Sequence, residues 1–286
     1  MLATAAAMIM FTVMNALAKH LSETHSVIEI AFYRNVIAMI PFLAFALAFR
    51  RQQILRIRSR PGLILTRGIM GSVSLVATMA AFSVMPMAET AVLLFSSSLF
   101  IPILGVMMLS EKVGPYRWIA VLVGFVGVAV MANPSGNVNT FGVSMALLAA
   151  SFQALMSVML RQLGGSERPE TVTFYFFLIG AVLTGLAVPF VAKPMLPGEW
   201  VWFVAIGAVG AIAQWCYSVG LKLTPAAVVA VLNYTTIIWA TLAGWLIWND
   251  WPTTLVLAGA AVVISANGLI VWREQRLGRV TLRQRP

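Results

Sequence analysis

The 286-residue chain has little charge, one cysteine and two histidines. Charged residues make up 10% of the sequence and apolar residues 60%, whereas about a quarter of the residues in a typical soluble domain are charged. This shortage of polar residues excludes a water-soluble globular protein. The single cysteine, Cys216, excludes an intrachain disulfide and a cysteine metal site. Because the histidines and acids are also few and scattered, we expect no metal and no cofactor.

The net charge of +10 does not indicate a nucleic-acid partner. Such a partner requires a basic face interleaved with exposed aromatic residues, and the sequence has no segment of that kind. Instead, ten of the 19 basic residues form two clusters, each directly after an apolar run. Basic residues in this position hold a helix end on the cytoplasmic side, near anionic lipid headgroups. The clusters are Arg50, Arg51, Arg56, Arg58 and Arg60, and Arg273, Arg276, Arg279, Arg283 and Arg285.

Long apolar runs are abundant, and residues typical of turns separate them. A transmembrane helix needs about 20 mostly apolar residues, and the chain has room for ten such helices. The first run ends in Ala-Leu-Ala, which resembles a signal-peptide cleavage site. Because no basic residue precedes this run, we interpret it as the first helix. The predicted helices lie near residues 2–19, 27–49, 62–84, 87–109, 115–132, 140–161, 171–191, 199–221, 226–248 and 253–273.

The distribution of basic residues predicts the orientation of these helices. With the amino terminus inside, the five cytoplasmic segments hold fifteen Lys or Arg residues and the opposite side holds two. One helix more or fewer would put the two large clusters on opposite faces. We therefore predict that both termini are cytoplasmic. The cytoplasmic segments are residues 50–61, 110–117, 161–170, 221–225 and 273–286.

The sequence repeats after 139 residues, a spacing that aligns Glu111 with Asp250. We interpret residues 1–133 and 140–286 as two copies of a five-helix unit. Because five is odd, the second copy enters the membrane inverted. Inverted copies can exchange conformations so that a central site faces alternate sides, which favours a transporter over duplication as a scaffold. Other aligned pairs are Gly68 and Gly207, Gly71 and Gly210, Pro86 and Pro225, Phe95 and Tyr234, and Gly105 and Gly244.

Several short motifs occur in a fixed order. They are Phe32-Tyr33-Arg34-Asn35, Arg67-Gly68, Ser83 to Thr90, Ser110-Glu111-Lys112-Val113 and Trp118 to Gly127. Their order, spacing and duplication resemble the EamA-type repeat of the drug/metabolite transporter superfamily. The second half departs from the pattern, because Asn249-Asp250-Trp251-Pro252 replaces the Glu-Lys turn and no arginine corresponds to Arg34.

This resemblance implies an all-α integral membrane protein, with ten transmembrane helices as two inverted five-helix repeats around a central cavity. It implies a secondary transporter of the cell inner membrane that works by alternating access, as a monomer or a homodimer. Members of the superfamily carry amino acids, S-adenosylmethionine, riboflavin, amines or drugs, and the two arginine motifs favour the S-adenosylmethionine and riboflavin subgroup. The alternatives are a polytopic membrane enzyme and a channel-like protein. The expected partners are a small molecule and the lipid bilayer.

Two arginines fall within predicted helices, where a charged side chain is costly. Arg34 lies seven residues into the second helix, roughly 10 Å deep at 1.5 Å per residue. It could bind an anionic substrate group such as a carboxylate. Alternatively it anchors the helix, by reaching outward or by pairing with Glu29 or Glu89. Arg67 lies about one turn from the cytoplasmic surface, where it could serve as an anchor or as part of a gate.

Polar and aromatic side chains within the helices are further candidates for a substrate site. The resemblance implies that helices 1, 3, 4, 6, 8 and 9 line the cavity, while hydrogen bonding between helices is the alternative role. The repeat pairs Phe95 with Tyr234 and Phe100 with Trp239. These pairs could form facing walls for a planar or cationic substrate, or they could pack against lipid. The polar candidates are Asn15, Gln153, Gln214 and Asn233.

The sequence identifies no titratable residue near the middle of a predicted helix, and therefore no clear proton carrier. Acids in a first helical turn are also explained by the helix dipole, although Glu89 is a candidate gate residue. Gly105 and Gly244 are candidates for close helix contacts, either sliding or static. The titratable residues near the predicted outer ends are Glu29, Glu89, His20 and His25.

Overall fold

The computed structural model describes residues 2–48, 56–57, 61–110, 114–132, 139–163, 169–196, 198–223 and 226–283. Within these ranges the regular secondary structure is α-helical. The helices are α1 (Leu2–Leu21), α2 (Val27–Ala48), α3 (Pro61–Val84), α4 (Met87–Leu94), α5 (Ser97–Leu109), α6 (Pro115–Ala132), α7 (Thr140–Leu163), α8 (Pro169–Val191), α9 (Trp200–Leu223), α10 (Ala226–Trp248) and α11 (Thr254–Arg283).

All ten predicted helices are present, with two differences. The last helix, α11, runs to Arg283, ten residues beyond its predicted end. The fourth predicted helix is interrupted at Phe95 and Ser96, which separate α4 from α5. There the Ser96 N–H bonds the Leu93 carbonyl three residues back at 3.0 Å, and the Ser98 hydroxyl donates to the Phe95 carbonyl at 2.6 Å. Serine hydroxyls compete for backbone groups in this way, which explains the interruption.

Two helices end at a residue in the left-handed conformation. Ser110 follows α5 with φ 52°, and Asn249 follows α10 with φ 56°. The Ser110 N–H bonds the Gly105 carbonyl, and the Asp250 N–H bonds the Gly244 carbonyl at 3.1 Å. Such a C-cap satisfies carbonyls that the helix leaves free. Gly105 and Gly244 therefore both lie in capped final turns of their helices.

The surface of the bundle is suited to lipid. Large apolar side chains project outward, among them Phe190 (86% exposed), Leu246 (73%) and Leu186 (70%). Within the described ranges, seven segments are long and apolar enough to span a membrane, and Pro115–Met131 and Thr254–Ala266 are shorter apolar helices. The chain is thus a multi-pass membrane protein. The seven segments are Leu2–Leu21, Val27–Ala44, Pro61–Val84, Met87–Met108, Thr140–Met159, Glu170–Val191 and Trp200–Tyr217.

The principal helix contacts join the first part of the chain to the second. Helix α1 packs against α9 and α10, α2 against α8 and α9, and α3 against α7 and α8. Helix α6 packs against α11, and α4 packs against α10. One core cluster accordingly combines Ile30 and Met79 with Phe203 and Ile206, all almost fully buried. The core is therefore shared between residues before 133 and residues after 139.

Glycine allows the closest of these contacts. A Cβ on Gly259 of α11 would lie 2.7 Å from the Gly127 carbonyl oxygen of α6, and it would also meet the Met131 side chain. Backbone atoms cannot move aside without displacing a whole helix. A Cβ on Gly268, also in α11, would have no heavy atom within 4 Å.

We predict that Gly259→Ala lowers the stability of the purified protein by about 1–3 kcal/mol, the usual effect of overpacking a close contact. The matched control, Gly268→Ala, should be neutral or stabilising by about 0.5–1 kcal/mol, because alanine favours helix over glycine. Unfolding of both variants in detergent measures the difference. Equal stabilities would show that α6 and α11 do not pack as closely as the structure indicates.

Candidate functional site

A buried arginine lies at the centre of the contact between α2, α8 and α9. Arg34 is 2% exposed, and its guanidinium carbon lies 5.1 Å and 5.8 Å from the ring centroids of Phe177 and Phe176. A Cβ on Gly210 of α9 would lie 3.1 Å from Arg34 Nε. The missing side chain at Gly210 therefore makes room for the guanidinium, and aromatic faces favour a cation in this position.

The hydrogen-bonding capacity of this arginine is only partly used. Arg34 Nη1 donates to Asn35 Oδ1 at 2.9 Å. Arg34 Nε and Asn35 Nδ2 are buried and have no hydrogen-bond partner. Among the described residues, no carboxylate is paired with Arg34. Two buried donors and one uncompensated positive charge therefore meet at this point, although buried charges are normally paired.

Neither of the two acids considered as partners for Arg34 is paired with it. Glu29 Oε2 lies 3.1 Å from His25 Nδ1 and also accepts the Lys193 backbone N–H at 3.3 Å. Glu89 is half-buried and lies within electrostatic range of Lys19 and Asp250. Pairing with Glu29 or Glu89 therefore does not explain the burial of Arg34 in this structure.

A stacked aromatic pair occupies the interruption between α4 and α5. The rings of Phe95 and Tyr234 have centroids 5.2 Å apart and planes inclined by 21°. Ser96, the next residue, is fully buried, and its hydroxyl has no hydrogen-bond partner. The contact joins the two residues that the 139-residue spacing aligns. An aromatic surface and an unsatisfied hydroxyl are thus adjacent where the helix is irregular.

A third group of candidate residues lies on α1, α9 and α10. The side chains of Asn233 and Tyr217 are hydrogen-bonded, and the Tyr217 ring packs edge-on against Phe11 with centroids 5.9 Å apart. Asn15 Oδ1 and Asn233 Oδ1 are both buried without a partner. Two free acceptors therefore lie on α1 and α10, whereas the free donors of Arg34 and Asn35 lie on α2.

The remaining candidates are more dispersed. The Phe100 ring packs edge-on against Phe125 of α6 at 5.2 Å, and Trp239 is 36% exposed. Gln153 is exposed on α7, and Gln214 is half-buried on α9. Arg67 is half-buried on α3, with its Nε lacking a hydrogen-bond partner. Phe100 therefore packs against a helix of its own half, and Gln153 faces outward.

A second charged cluster ties one end of the bundle together. We call this the Lys19 end: α1, α3, α6, α8 and α10 finish there, and α2, α4, α7, α9 and α11 begin there. Lys19 Nζ donates to the Met85 carbonyl at 2.9 Å and lies 3.4 Å from Asp250 Oδ2. It also lies 5.0 Å from the Trp248 ring centroid. One cation thus holds α1, the α3–α4 turn and the α10–α11 connection.

The same end contains a buried histidine between two carboxylates. His25 Nδ1 lies 3.1 Å from Glu29 Oε2, and His25 Nε2 lies 3.1 Å from Glu199 Oε2. The Leu196 backbone N–H, which donates to Glu199 at 2.7 Å, and the neighbouring His25 hold the pKa of Glu199 below its ordinary value. This cluster joins the α1–α2 connection to the α8–α9 connection.

Sequence reasoning missed both clusters at the Lys19 end as functional units. Lys19 is not among the candidate residues selected from the sequence, and His25 and Glu29 are not paired with each other there. Their partners Asp250 and Glu199 are more than 150 residues away in the sequence. The one signal available was that two histidines and several charges all fall near helix ends on one side.

The chain is similar to known transport proteins over nearly its whole length. A family model described as the EamA-like transporter family matches residues 1–133 and 140–272. The pseudopaline exporter CntI of Pseudomonas aeruginosa is 30% identical over 262 residues, which is 90% of each chain. A riboflavin transporter of Rhizobium johnstonii is 28% identical over 222 residues, 75% of this chain and 72% of the relative.

Two further matches agree with this likeness. An S-adenosylmethionine uptake transporter of Rickettsia bellii is 24% identical over 266 residues, 92% of this chain and 89% of the relative. A crystal structure of a protein superimposes with a TM-score of 0.67 at 21% identity, covering 96% of this chain and 97% of the other. At that identity the crystal structure supports the fold alone.

We predict that Lys19→Met loosens the Lys19 end. It removes hydrogen bonds made by a charged group, each of which contributes about 1.5–3 kcal/mol. Amide hydrogen exchange around Met85 and Asp250 should accelerate accordingly. The control is Lys193→Met, because Lys193 is exposed at the same end. If both variants exchange like the unmodified protein, Lys19 does not hold these segments.

Proposed function

This chain belongs to the EamA-like transporter family, and we propose that it moves a small, carboxylate-bearing organic metabolite across the membrane by alternating access. Transport of a small molecule follows from the family and from relatives named as transporters. The proposed substrate class rests on one observation: the buried Arg34 has no carboxylate partner among the described residues.

The helix contacts support an arrangement of two inverted halves. Counting along each half, α7 corresponds to α1, α8 to α2, α9 to α3, α10 to α4 with α5, and α11 to α6. Helix α1 packs on α9 as α7 packs on α3, and α2 packs on α9 as α8 packs on α3. The pairs α2–α8, α4–α10 and α6–α11 each join a helix to its counterpart. A twofold relation between the halves accounts for all these contacts.

The glycine contacts support the same relation residue by residue. A Cβ on Gly71 would meet the Phe176 ring, and a Cβ on Gly210 would meet the Arg34 side chain. Gly210 follows Gly71 by 139 residues, and Phe176 follows Arg34 by 142. A methionine, from α7 or α1, completes each contact. The two sites thus have the same geometry but different chemistry, because only the first half supplies a charge.

The proposed orientation follows from the basic residues. Fifteen Lys or Arg residues would be cytoplasmic and two external if both termini are inside, as the positive-inside rule requires. The Lys19 end is then the external end. Since one chain supplies both halves, a monomer contains a complete pathway, and a homodimer would contain two.

An anionic substrate would supply the partner that Arg34 lacks. The effective cost of burying an unpaired charge in a protein is several kcal/mol, and a carboxylate can accept from the guanidinium in a bidentate manner. Asn35 Nδ2 offers one more donor beside it. A bound carboxylate would therefore neutralise the unpaired charge of Arg34, and the energy regained would contribute to the affinity for the substrate.

The free acceptors favour a substrate that also carries a donor. Asn15 Oδ1 and Asn233 Oδ1 are buried and unpartnered, and acceptors of this kind suit an ammonium or amino group. Methionine Met14, next to Asn15, approaches the same Gly210 that makes room for Arg34. Among the solutes expected from the sequence, amino acids and S-adenosylmethionine have both a carboxylate and an amino group, whereas riboflavin lacks the carboxylate.

Alternating access would use the irregular segment between α4 and α5. Transporters with repeated halves often bind substrate where a helix is interrupted near the middle of the membrane. Here the interruption carries the Phe95–Tyr234 stack and the free Ser96 hydroxyl. Because α4 packs on its counterpart α10, a movement of one half against the other would pass through this contact.

We predict that Arg34→Met weakens substrate binding while the folded protein stays abundant. Loss of a hydrogen bond to a charged group should weaken binding at least tenfold, about 1.5–3 kcal/mol. Without ligand the variant should be as stable as the unmodified protein or more so, because it lacks the buried charge. Ligand-induced shifts in thermal unfolding measure both effects. Arg56→Gln, which removes an exposed charge, is the control, and unchanged binding by Arg34→Met would leave Arg34 an anchor.

Counterflow in proteoliposomes tests the proposed function. We expect saturable exchange of an amino acid or S-adenosylmethionine and little exchange of riboflavin. Competition among the accepted solutes should follow from a single shared site. Flux that rises linearly with concentration, without competition or counterflow, would contradict alternating access.

A further inference from the structure

The cluster of His25, Glu29 and Glu199 contains a hydrogen-bonding conflict that only a proton resolves. A neutral imidazole has one donor nitrogen and one acceptor nitrogen, whereas ionised carboxylates only accept. Both nitrogens of His25 lie 3.1 Å from a carboxylate oxygen. Two hydrogen bonds at these distances therefore require one proton more than a neutral histidine between two ionised glutamates provides.

The His25 imidazole is buried between the two carboxylates. His25 is 4% exposed and Glu29 1% exposed. Backbone N–H groups of Lys193 and Leu196 donate to Glu29 and Glu199 respectively. The Leu196 bond and the neighbouring His25 hold the pKa of Glu199 below its ordinary value. The Phe203 ring of α9 covers His25 edge-on at 5.1 Å.

The other titratable side chains on the elements around this cluster are exposed or have contacts of their own. Tyr33, one turn after Glu29 on α2, packs its ring against Phe203 with centroids 4.9 Å apart. On α1, Lys19 is held by Asp250, and His20 is exposed and packs against Trp202 with centroids 5.2 Å apart. Glu23 in the α1–α2 connection and Lys193 in the α8–α9 connection have exposed side chains. Within the described residues, the extra proton is thus shared by His25 and the two glutamates.

The position of the cluster links this proton to conformation. His25 precedes α2 in the first half, and Glu199 precedes α9 in the second half. Glu29 is in the first turn of α2, five residues before Arg34. An opening of the Lys19 end that separates the α1–α2 connection from the α8–α9 connection would take Glu199 away from His25. A neutral His25 could then donate to Glu29 alone, and the extra proton would no longer be required.

We propose that His25, Glu29 and Glu199 form a proton-binding site whose occupation holds the Lys19 end closed, so that opening this end releases one proton to external water. The proposal rests on the alternating access proposed above. Because the closed form binds one proton more than the open form, acid on that side stabilises the closed form, by up to about tenfold per pH unit. Proton binding then disfavours the opening of this end, and opening weakens proton binding by the same factor.

Amide hydrogen exchange of the full chain in nanodiscs, without any substrate, tests the site. Peptides covering residues 22–30 and 192–199 are compared between pH 5 and pH 8, after correction for the intrinsic pH dependence of exchange. In the unmodified protein their protection should fall as the pH rises. We call this pH-dependent fall in protection the pH step. His20→Gln should retain the pH step, because His20 packs against Trp202 and not against the carboxylates.

Two variants test whether the protection depends on a bound proton or on packing contacts that do not change with pH. His25→Gln should lose the step, since its amide does not titrate. Glu199→Gln should move the loss of protection to lower pH, because an uncharged amide replaces one of the two carboxylates that hold the extra proton on His25. Protection that does not change with pH in the unmodified protein, or a step that survives in His25→Gln, would overturn the proposal.

The outcome is independent of the substrate. If the pH step behaves as expected while no solute of the counterflow panel moves, the proton site stands and the proposed transport fails. If counterflow occurs with no pH step in exchange, transport stands and the proton site is wrong.

Discussion

The contact of α2 with α8 and α9 is the constraint on which the rest of the structure depends. Helix α2 of the first half packs between α8 and α9 of the second half. The absence of a side chain at Gly210 of α9 makes room for Arg34 of α2. The same contact buries Arg34 against two aromatic rings. A bundle whose core is shared in this way cannot be divided into two independent domains. The charge is consequently held at depth by helices from both halves.

Buried polar atoms without hydrogen-bond partners also occur on other helices of the bundle. Among the unsatisfied buried atoms, the Arg34 and Asn35 donors lie on α2, whereas the Asn15 and Asn233 acceptors lie on α1 and α10. Unpaired buried polar atoms lower stability, so a protein that keeps several of them gains from a ligand that pairs them. The two halves supply different parts of this set, which ties substrate binding to their relative position.

Much of the fold could be predicted because lipid allows few alternatives. A spanning segment must satisfy its own backbone groups, so apolar runs and turn residues suffice to locate helices. The interruption at Phe95 and Ser96 was not predicted, although the run Ser96-Ser97-Ser98 was a local signal. Arg34 could be selected as a candidate because charge within an apolar run is rare.

The partners of the candidate residues could not be predicted. Whether Arg34 meets an acid or an aromatic ring depends on how α2 rotates against α8, and Phe177 is 143 residues away. The His25–Glu199 contact likewise depends on two connections that meet only after both halves have packed. Periodicity identifies the helices, but the pairing of charges is set by tertiary packing.

The central claim is that the halves move against each other around Arg34. Spin labels on Glu23→Cys and Lys193→Cys, two exposed positions at the Lys19 end in opposite halves, measure this directly by pulsed distance spectroscopy, with Cys216 replaced by serine. The account predicts two distance populations whose ratio changes when a transported solute is added. It predicts no such change in Arg34→Met. A single distance that is unaffected by the solute would contradict alternating access at this end of the protein.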